Sequence, residues 1–114
     1  MSYRWPIKDK DETLDYSVDW SRFLDTATLA SVVWHVKTDS IGKTVLAAGQ
    51  DLTTASGGSV TDSIQNVSQT NTDTVATINL AGGVNNREYT FTCTMTDSTS
   101  SVAERTIKLR VREK

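Results

Sequence analysis

The chain offers few side chains that act as nucleophile or general base, since it contains a single histidine and a single cysteine. His35 falls within a predicted strand, on the face opposite Trp34, where a lone histidine is more often solvated or hydrogen-bonded than catalytic. Cys93 lies between Phe91 and Met95 on the apolar face of another predicted strand, where cysteine packs as a small hydrophobic residue. Nucleophilic catalysis needs an activating base, and a zinc site needs about four ligands, so this pair supports neither. We predict no catalytic residue, no metal site, no cofactor and no enzymatic activity.

A cluster of carboxylates near the start of the chain is the remaining candidate for metal chemistry. It comprises Asp9, Asp11, Glu12 and Asp15. A calcium-binding EF-hand loop needs a glycine at its sixth position and a glutamate at its twelfth, and neither follows here. Lysines interleave the carboxylates, which is typical of a solvated segment, so the cluster predicts no metal site.

The three tryptophans are the side chains best suited to binding a partner. Trp34 lies on an apolar strand face and is predicted to be core, while Trp20 is predicted to lie at the edge of the core. Trp5 stands beside Pro6 with no obvious core to enter, so it is either disordered or docks on a partner, where tryptophan anchors are enriched. The candidate interface residues are Tyr3, Trp5, Pro6, Asp15, Asp19 and Trp20.

Alternation of apolar and polar residues predicts strands along most of the chain. Leu14, Tyr16 and Val18 alternate with polar residues, as in a half-buried strand. Threonine, which suits pleated surfaces, occurs 18 times, and no segment predicts a helix. Residues 22–25 are predicted to form a turn, and glycine-containing residues 49–59 a flexible loop. The predicted strands are 14–20, 28–37, 44–48, 60–67, 74–80, 88–96 and 104–112.

Short strands separated by turn signals predict an all-β fold of one domain. A length of 114 residues suits a single domain. We predict an immunoglobulin-like β-sandwich of about seven strands over residues 13–114, preceded by an extended N-terminal arm of residues 1–12. With one cysteine, no disulfide can form within the chain.

Charge and hydropathy argue against nucleic-acid and membrane partners. The formal net charge is -2, which gives no field to attract a phosphate backbone. No apolar stretch approaches the ~20 residues of a membrane span, and the N-terminus lacks the apolar region of a secretion signal.

Residues 8–21, with the sequence KDKDETLDYSVDWS, resemble the opening of small phage proteins called fibre–tail adaptors. The resemblance continues through residues 31–34, 78–83 and 104–111, and its most specific part is the Asp-Tyr-x-x-Asp-Trp-Ser block at residues 15–21. Lys10 departs from the family, which usually has proline there.

The resemblance implies a structural protein of the phage virion that joins the tail tube or tip to fibres or spikes. It implies location in the tail, synthesis in the cytoplasm of a bacterial host, other tail proteins as partners, and several copies in the virion. The alternative is a carbohydrate- or surface-binding immunoglobulin-like module, in which Tyr3, Trp5 and Trp20 would stack on sugars.

Overall fold

The computed structural model describes residues 3–113, with only the main chain of Tyr3. It confirms the all-β prediction. The elements in chain order are β1 (Tyr3–Arg4), β2 (Leu14–Asp19), α1 (Ser21–Leu24), β3 (Leu29–Lys37), β4 (Thr44–Val45), α2 (Leu52–Ala55), β5 (Gln65–Asn71), β6 (Val75–Ala81), β7 (Arg87–Asp97) and β8 (Val102–Val111).

Two sheets pack as a β-sandwich. One has the strand order β1-β8-β7-β3-β4 and the other β2-β6-β5. Strand β1 runs parallel to β8, whereas the remaining strand pairs of the described chain are antiparallel.

The core lies between the sheets and includes the cysteine. Trp34 of β3 and Cys93 of β7 are register partners, and both are buried, as predicted. Burial raises the pKa of the Cys93 thiol to about 11, although the charge of Arg105 acts in the opposite direction. Leu29 is also buried, because a register irregularity between Leu29 and Ser31 interrupts the alternation that would place Leu29 outside.

The prediction of a helix-free chain is wrong in two places, each a single helical turn. Helix α1 occupies the turn predicted at residues 22–25. Helix α2 lies in the predicted flexible loop 49–59, where the Asp51 carboxylate accepts a hydrogen bond of 2.8 Å from the Thr54 N–H. Leu52 follows this N-cap and is fully buried, which fixes the loop to the core. Both helices are too short to cross a bilayer, and the part of the chain that the structure describes contains no longer helix.

Residues 3–8 run along the edge of β8. Tyr3 and Arg4 pair with Ile107 and Lys108, and Lys8 forms a further parallel bridge to Val111. The Lys8 side chain is buried, and its ammonium donates hydrogen bonds of 2.8 Å to the carbonyls of Asp9 and Gly82. The division into an arm of residues 1–12 and a domain of residues 13–114 stays a prediction.

A candidate assembly surface between β2 and β8

The two sheets part at one side of the sandwich and leave a cleft between β2 and β8. The cleft has a volume of about 240 Å³. It combines apolar walls with cationic and anionic side chains, a mixture suited to binding protein. Its lining residues are Arg4, Trp5, Ser17, Val18, Asp19, Arg105 and Ile107.

Trp5 forms the base of this cleft. Its ring stacks on the Tyr16 ring, with the two centroids 4.8 Å apart, and contacts the Trp34 ring, with the centroids 5.9 Å apart. Its indole N–H donates a hydrogen bond of 3.2 Å to the Ser17 carbonyl. The prediction that Trp5 has no core to enter is wrong, because only 9% of the residue is exposed and its ring belongs to the core between the sheets.

The stacking of Trp5 on Tyr16 also affects the Tyr16 hydroxyl. Burial beneath Trp5 raises the pKa of the Tyr16 hydroxyl to about 12, and the charge of Glu12 adds to this effect. The hydroxyl donates to the Pro6 carbonyl over 3.5 Å, which is a long contact. Tyr16 is thus a neutral, apolar support for the base of the cleft.

Arg105 connects the cleft to Trp20. Its guanidinium lies 4.8 Å from the centre of the Trp20 ring and donates a hydrogen bond of 3.3 Å to the Asp19 carbonyl. The Asp19 carboxylate accepts a hydrogen bond of 2.9 Å from the Ser21 N–H, and this bond lowers its pKa. Arg4, which also lines the cleft, forms an ion pair of 2.9 Å with Glu88. Neighbouring groups therefore fix the positions of the Arg105, Asp19 and Arg4 side chains.

Phe23 extends this surface beyond the cleft. It lies on α1, packs edge-on against Trp20 with centroids 5.9 Å apart, and is 48% exposed. Among the side chains of residues 4–113, it is the one aromatic group in the exposed class. Aromatic residues, including phenylalanine, are enriched at protein interfaces, which makes Phe23 a candidate interface anchor. We call the cleft residues, Trp20 and Phe23 together the assembly surface.

The structure brings together half of the sequence-predicted interface residues. Trp5 and Asp19 line the cleft, and Trp20 joins them through Arg105. Trp20 is 1% exposed, so it supports the surface from beneath. Trp5 and Trp20 are both buried, which leaves little of either side chain exposed for the sugar stacking of the alternative.

The other predicted residues lie elsewhere. Pro6 is exposed on the extended segment, outside the lining of the cleft. Asp15 lies on the outer face of β2, where it accepts a hydrogen bond of 2.6 Å from Asn79. The main chain of Tyr3 pairs with Ile107, and its side chain lies outside the described residues.

Sequence reasoning missed Arg4, Arg105 and Phe23. Arg105 carried a usable signal, because it shares the inward parity of Ile107 and Leu109 in β8. An arginine whose side chain points toward the core must lie near the edge of the sheet, where its guanidinium can reach water. Phe23 carried no comparable signal, since a hydrophobic residue in a turn is common on protein surfaces.

Groups typical of metal sites do not cluster here. Across residues 3–113, no three histidine, cysteine, aspartate or glutamate side chains are grouped so that they could hold a metal ion. His35 is half-buried on the outer face of β3, and this burial lowers its pKa, as does the charge of Lys43.

The fold and the cleft define a small all-β sandwich domain with a lateral surface suited to protein contacts. A family model described as "Podophage GP4 fiber-tail adaptor protein gp77" matches residues 8–110. The chain belongs to this family of phage fibre–tail adaptors. Membership supports a structural role in the virion, location in the tail, and interaction with other tail and fibre proteins. No curated protein matches the chain.

Proposed function

We propose that the protein is a non-enzymatic adaptor that connects a phage tail to its fibres or spikes, and that the assembly surface receives the neighbouring subunit. The observation that carries this proposal is Phe23, which is 48% exposed on the buried base of Trp20. Burying such a ring against a partner removes apolar area from water while losing little side-chain entropy.

The charged residues of the surface give the contact its orientation. Arg105 and Asp19 lie beside the aromatic pair, and Arg4 is a further charged residue of the cleft lining. Charges at the margin of an interface fix register and suppress wrong partners more than they add affinity. The partner is therefore a tail or fibre protein with an apolar pocket for Phe23 and with polar groups around that pocket.

The virion context adds two features to the proposal. The adaptor is a homo-oligomer with several copies in each tail, since protein assemblies are most often built from symmetry-related copies. The chain is made in the cytoplasm of the bacterial host and enters the particle by subunit contacts.

The experiment is incorporation of a Phe23→Ser variant into phage particles. Purified particles are analysed by mass spectrometry for the ratio of this chain, and of the fibre protein, to the tail-tube protein. Val33→Ser is the matched control, because Val33 is a comparably exposed hydrophobic residue, at 41%, on the outer face of β3. We expect Phe23→Ser to lower one or both ratios at least about tenfold, as loss of an interface anchor would, and Val33→Ser to leave them unchanged. Equal ratios for both variants would remove the assembly surface from the proposal, and absence of the wild-type chain from particles would refute the adaptor function.

A further inference from the structure

The edge strands of the two sheets differ sharply in charge. At the side of the assembly surface, edge strand β2 carries Asp15 and Asp19, and edge strand β1 carries Arg4. At the opposite side, β5 has the sequence QNVSQTN and carries no charge. Natural edge strands commonly use charged side chains to prevent pairing with other chains. Strand β5 lacks this protection.

The first part of β5 is covered, whereas its second part is open. Asn66 exchanges main-chain hydrogen bonds with Gly49 and Gln50, and the register shifts between Asn66 and Ser68. Beyond that irregularity, β6 is the one strand neighbour of β5 in the described part of the chain. The available edge is therefore confined to the segment that follows Ser68.

The direction of the main-chain groups follows from the hairpin that joins β5 to β6. The Thr72 N–H donates a hydrogen bond of 2.9 Å to the Val75 carbonyl, so Thr72 faces β6. Successive residues of an antiparallel strand alternate in direction. Thr70 therefore also faces β6 with its main chain, and the N–H and C=O groups of Gln69 and Asn71 point away from the sheet.

We infer that two copies of this chain pair antiparallel through β5, with Thr70 opposite Thr70 and Gln69 opposite Asn71 of the other copy. In this register each copy contributes the outward N–H and C=O groups of two residues to a continuous sheet. The Thr70 residues form a non-hydrogen-bonded pair, whose side chains are closest.

Because β5 carries no charged side chain, its favoured partner is the same strand in a second copy of this chain. Two-fold pairing places a segment against itself, so any charge on it meets an identical charge. At β2 this would oppose aspartates, whereas the side chains of β5 are uncharged and include the exposed hydroxyls of Ser68 and Thr70. This self-contact lies on the side of the sandwich away from the assembly surface, and it specifies one contact of the proposed oligomer.

Disulfide trapping tests the register directly. The Cα atoms of a non-hydrogen-bonded antiparallel pair are about 4.5 Å apart, which is within the range that a disulfide bridges. Thr70→Cys should therefore form a disulfide-linked dimer under mild oxidation. Val102→Cys is the control, because Val102 is the first residue of β8 and is well exposed, at 63%. Native Cys93 is buried and does not compete. Equal cross-linking of Thr70→Cys and Val102→Cys would overturn the inference.

Introducing a charge at Thr70 provides an independent test. Circular dichroism checks that each variant is folded. Thr70→Lys alone and Thr70→Glu alone should each shift the mass measured by light scattering to that of the monomer. An equimolar mixture of the two should recover the dimer, because opposite charges then face each other. A wild-type protein that is monomeric at every concentration reached would refute the inference. Incorporation of monomeric Thr70→Lys into particles at the wild-type ratio would refute the need for this contact while leaving the adaptor function intact.

Discussion

The Arg105 guanidinium covers the ring of Trp20 at 4.8 Å, and Phe23 contacts the same ring edge-on at 5.9 Å. A cation on one side and an aromatic group on another hold the indole in one orientation. Because Trp20 is buried, its packing joins the assembly surface to the core. A substitution at Arg105 should therefore affect both stability and assembly.

Arg105→Ala should expose part of the Trp20 ring and lower the free energy of unfolding by about 1 kcal/mol, since the cation–π contact and the aliphatic stem are lost together. Chemical denaturation measures the stability, and a red shift of tryptophan emission measures the exposure. Arg110→Ala is the control, because Arg110 has the opposite parity in β8 and points away from the core. Equal emission spectra for the two variants would contradict the role assigned to Arg105.

Trp5→Ala should lower the free energy of unfolding by about 3–5 kcal/mol, the usual cost of removing a large aromatic side chain from a core. Trp5 contacts Tyr16, Trp34 and Phe91, so its removal would extend the cleft into the core. Ile7→Ala, two residues further on at an exposed position, should change stability by less than about 0.5 kcal/mol. Denaturant titration of both variants measures the two changes in the free energy of unfolding. Similar, small effects would mean that residues 3–8 do not stabilise the domain.

The strands were predictable because the core imposes a period of two on the sequence. Strands β2, β6, β7 and β8 appear within a few residues of their predicted limits, since each alternates between a buried and a solvated face. The prediction placed the strand at 60–67 too early, because Asp62 and Ile64 are buried outside any strand. There the Asp62 carboxylate accepts a hydrogen bond of 3.0 Å from the Ile64 N–H, which forms a local turn.

The surface was less predictable, because it depends on contacts between residues distant in sequence. Trp5 finds its core only when β1 pairs with β8, about a hundred residues away along the chain. Nothing local to Trp5 encodes that pairing. Phe23 becomes an anchor only because Trp20 and Arg105 meet beneath it.

Tyr89→Phe should lower the free energy of unfolding by about 1–3 kcal/mol, because it leaves a buried carboxylate with fewer donors. The Tyr89 hydroxyl donates to the Asp62 carboxylate at 2.7 Å and accepts a hydrogen bond of 3.0 Å from the Val84 N–H. Arg87 also pairs with Asp62, at 3.0 Å. Denaturant titration gives the stability change.

A double-mutant cycle with Asp62→Asn isolates the contact between Tyr89 and Asp62. A coupling free energy of at least about 0.5 kcal/mol is expected for residues in one hydrogen-bond network. Tyr16→Phe serves as the control, because the Tyr16 hydroxyl makes only the 3.5 Å contact to Pro6 and should cost less. Additive effects of Tyr89→Phe and Asp62→Asn would contradict the network.

Stability should decline as the pH rises above about 9, because Cys93 is harder to ionise in the folded chain than in the unfolded chain. Burial raises the pKa of the folded thiol to about 11, whereas an unfolded cysteine titrates near its ordinary value of about 8.5. Between these two values the folded state binds more protons than the unfolded state. The stabilisation due to the neutral thiol is therefore complete below about pH 8.5 and is lost progressively up to about pH 11, at no more than about 1.4 kcal/mol per pH unit. The buried hydroxyl of Tyr16, with its pKa raised to about 12, adds a similar loss at higher pH.

Cys93→Ala distinguishes the contribution of the thiol to the pH dependence of stability from that of the tyrosines. It removes the titrating thiol and leaves Tyr16 and Tyr89 in place. The variant should be less stable than wild type at pH 7, since a buried side chain becomes smaller. Its free energy of unfolding should nevertheless fall less steeply between pH 8.5 and pH 11. Denaturant titrations at several pH values give both slopes, and parallel curves would show that the thiol titrates alike in the folded and unfolded chains.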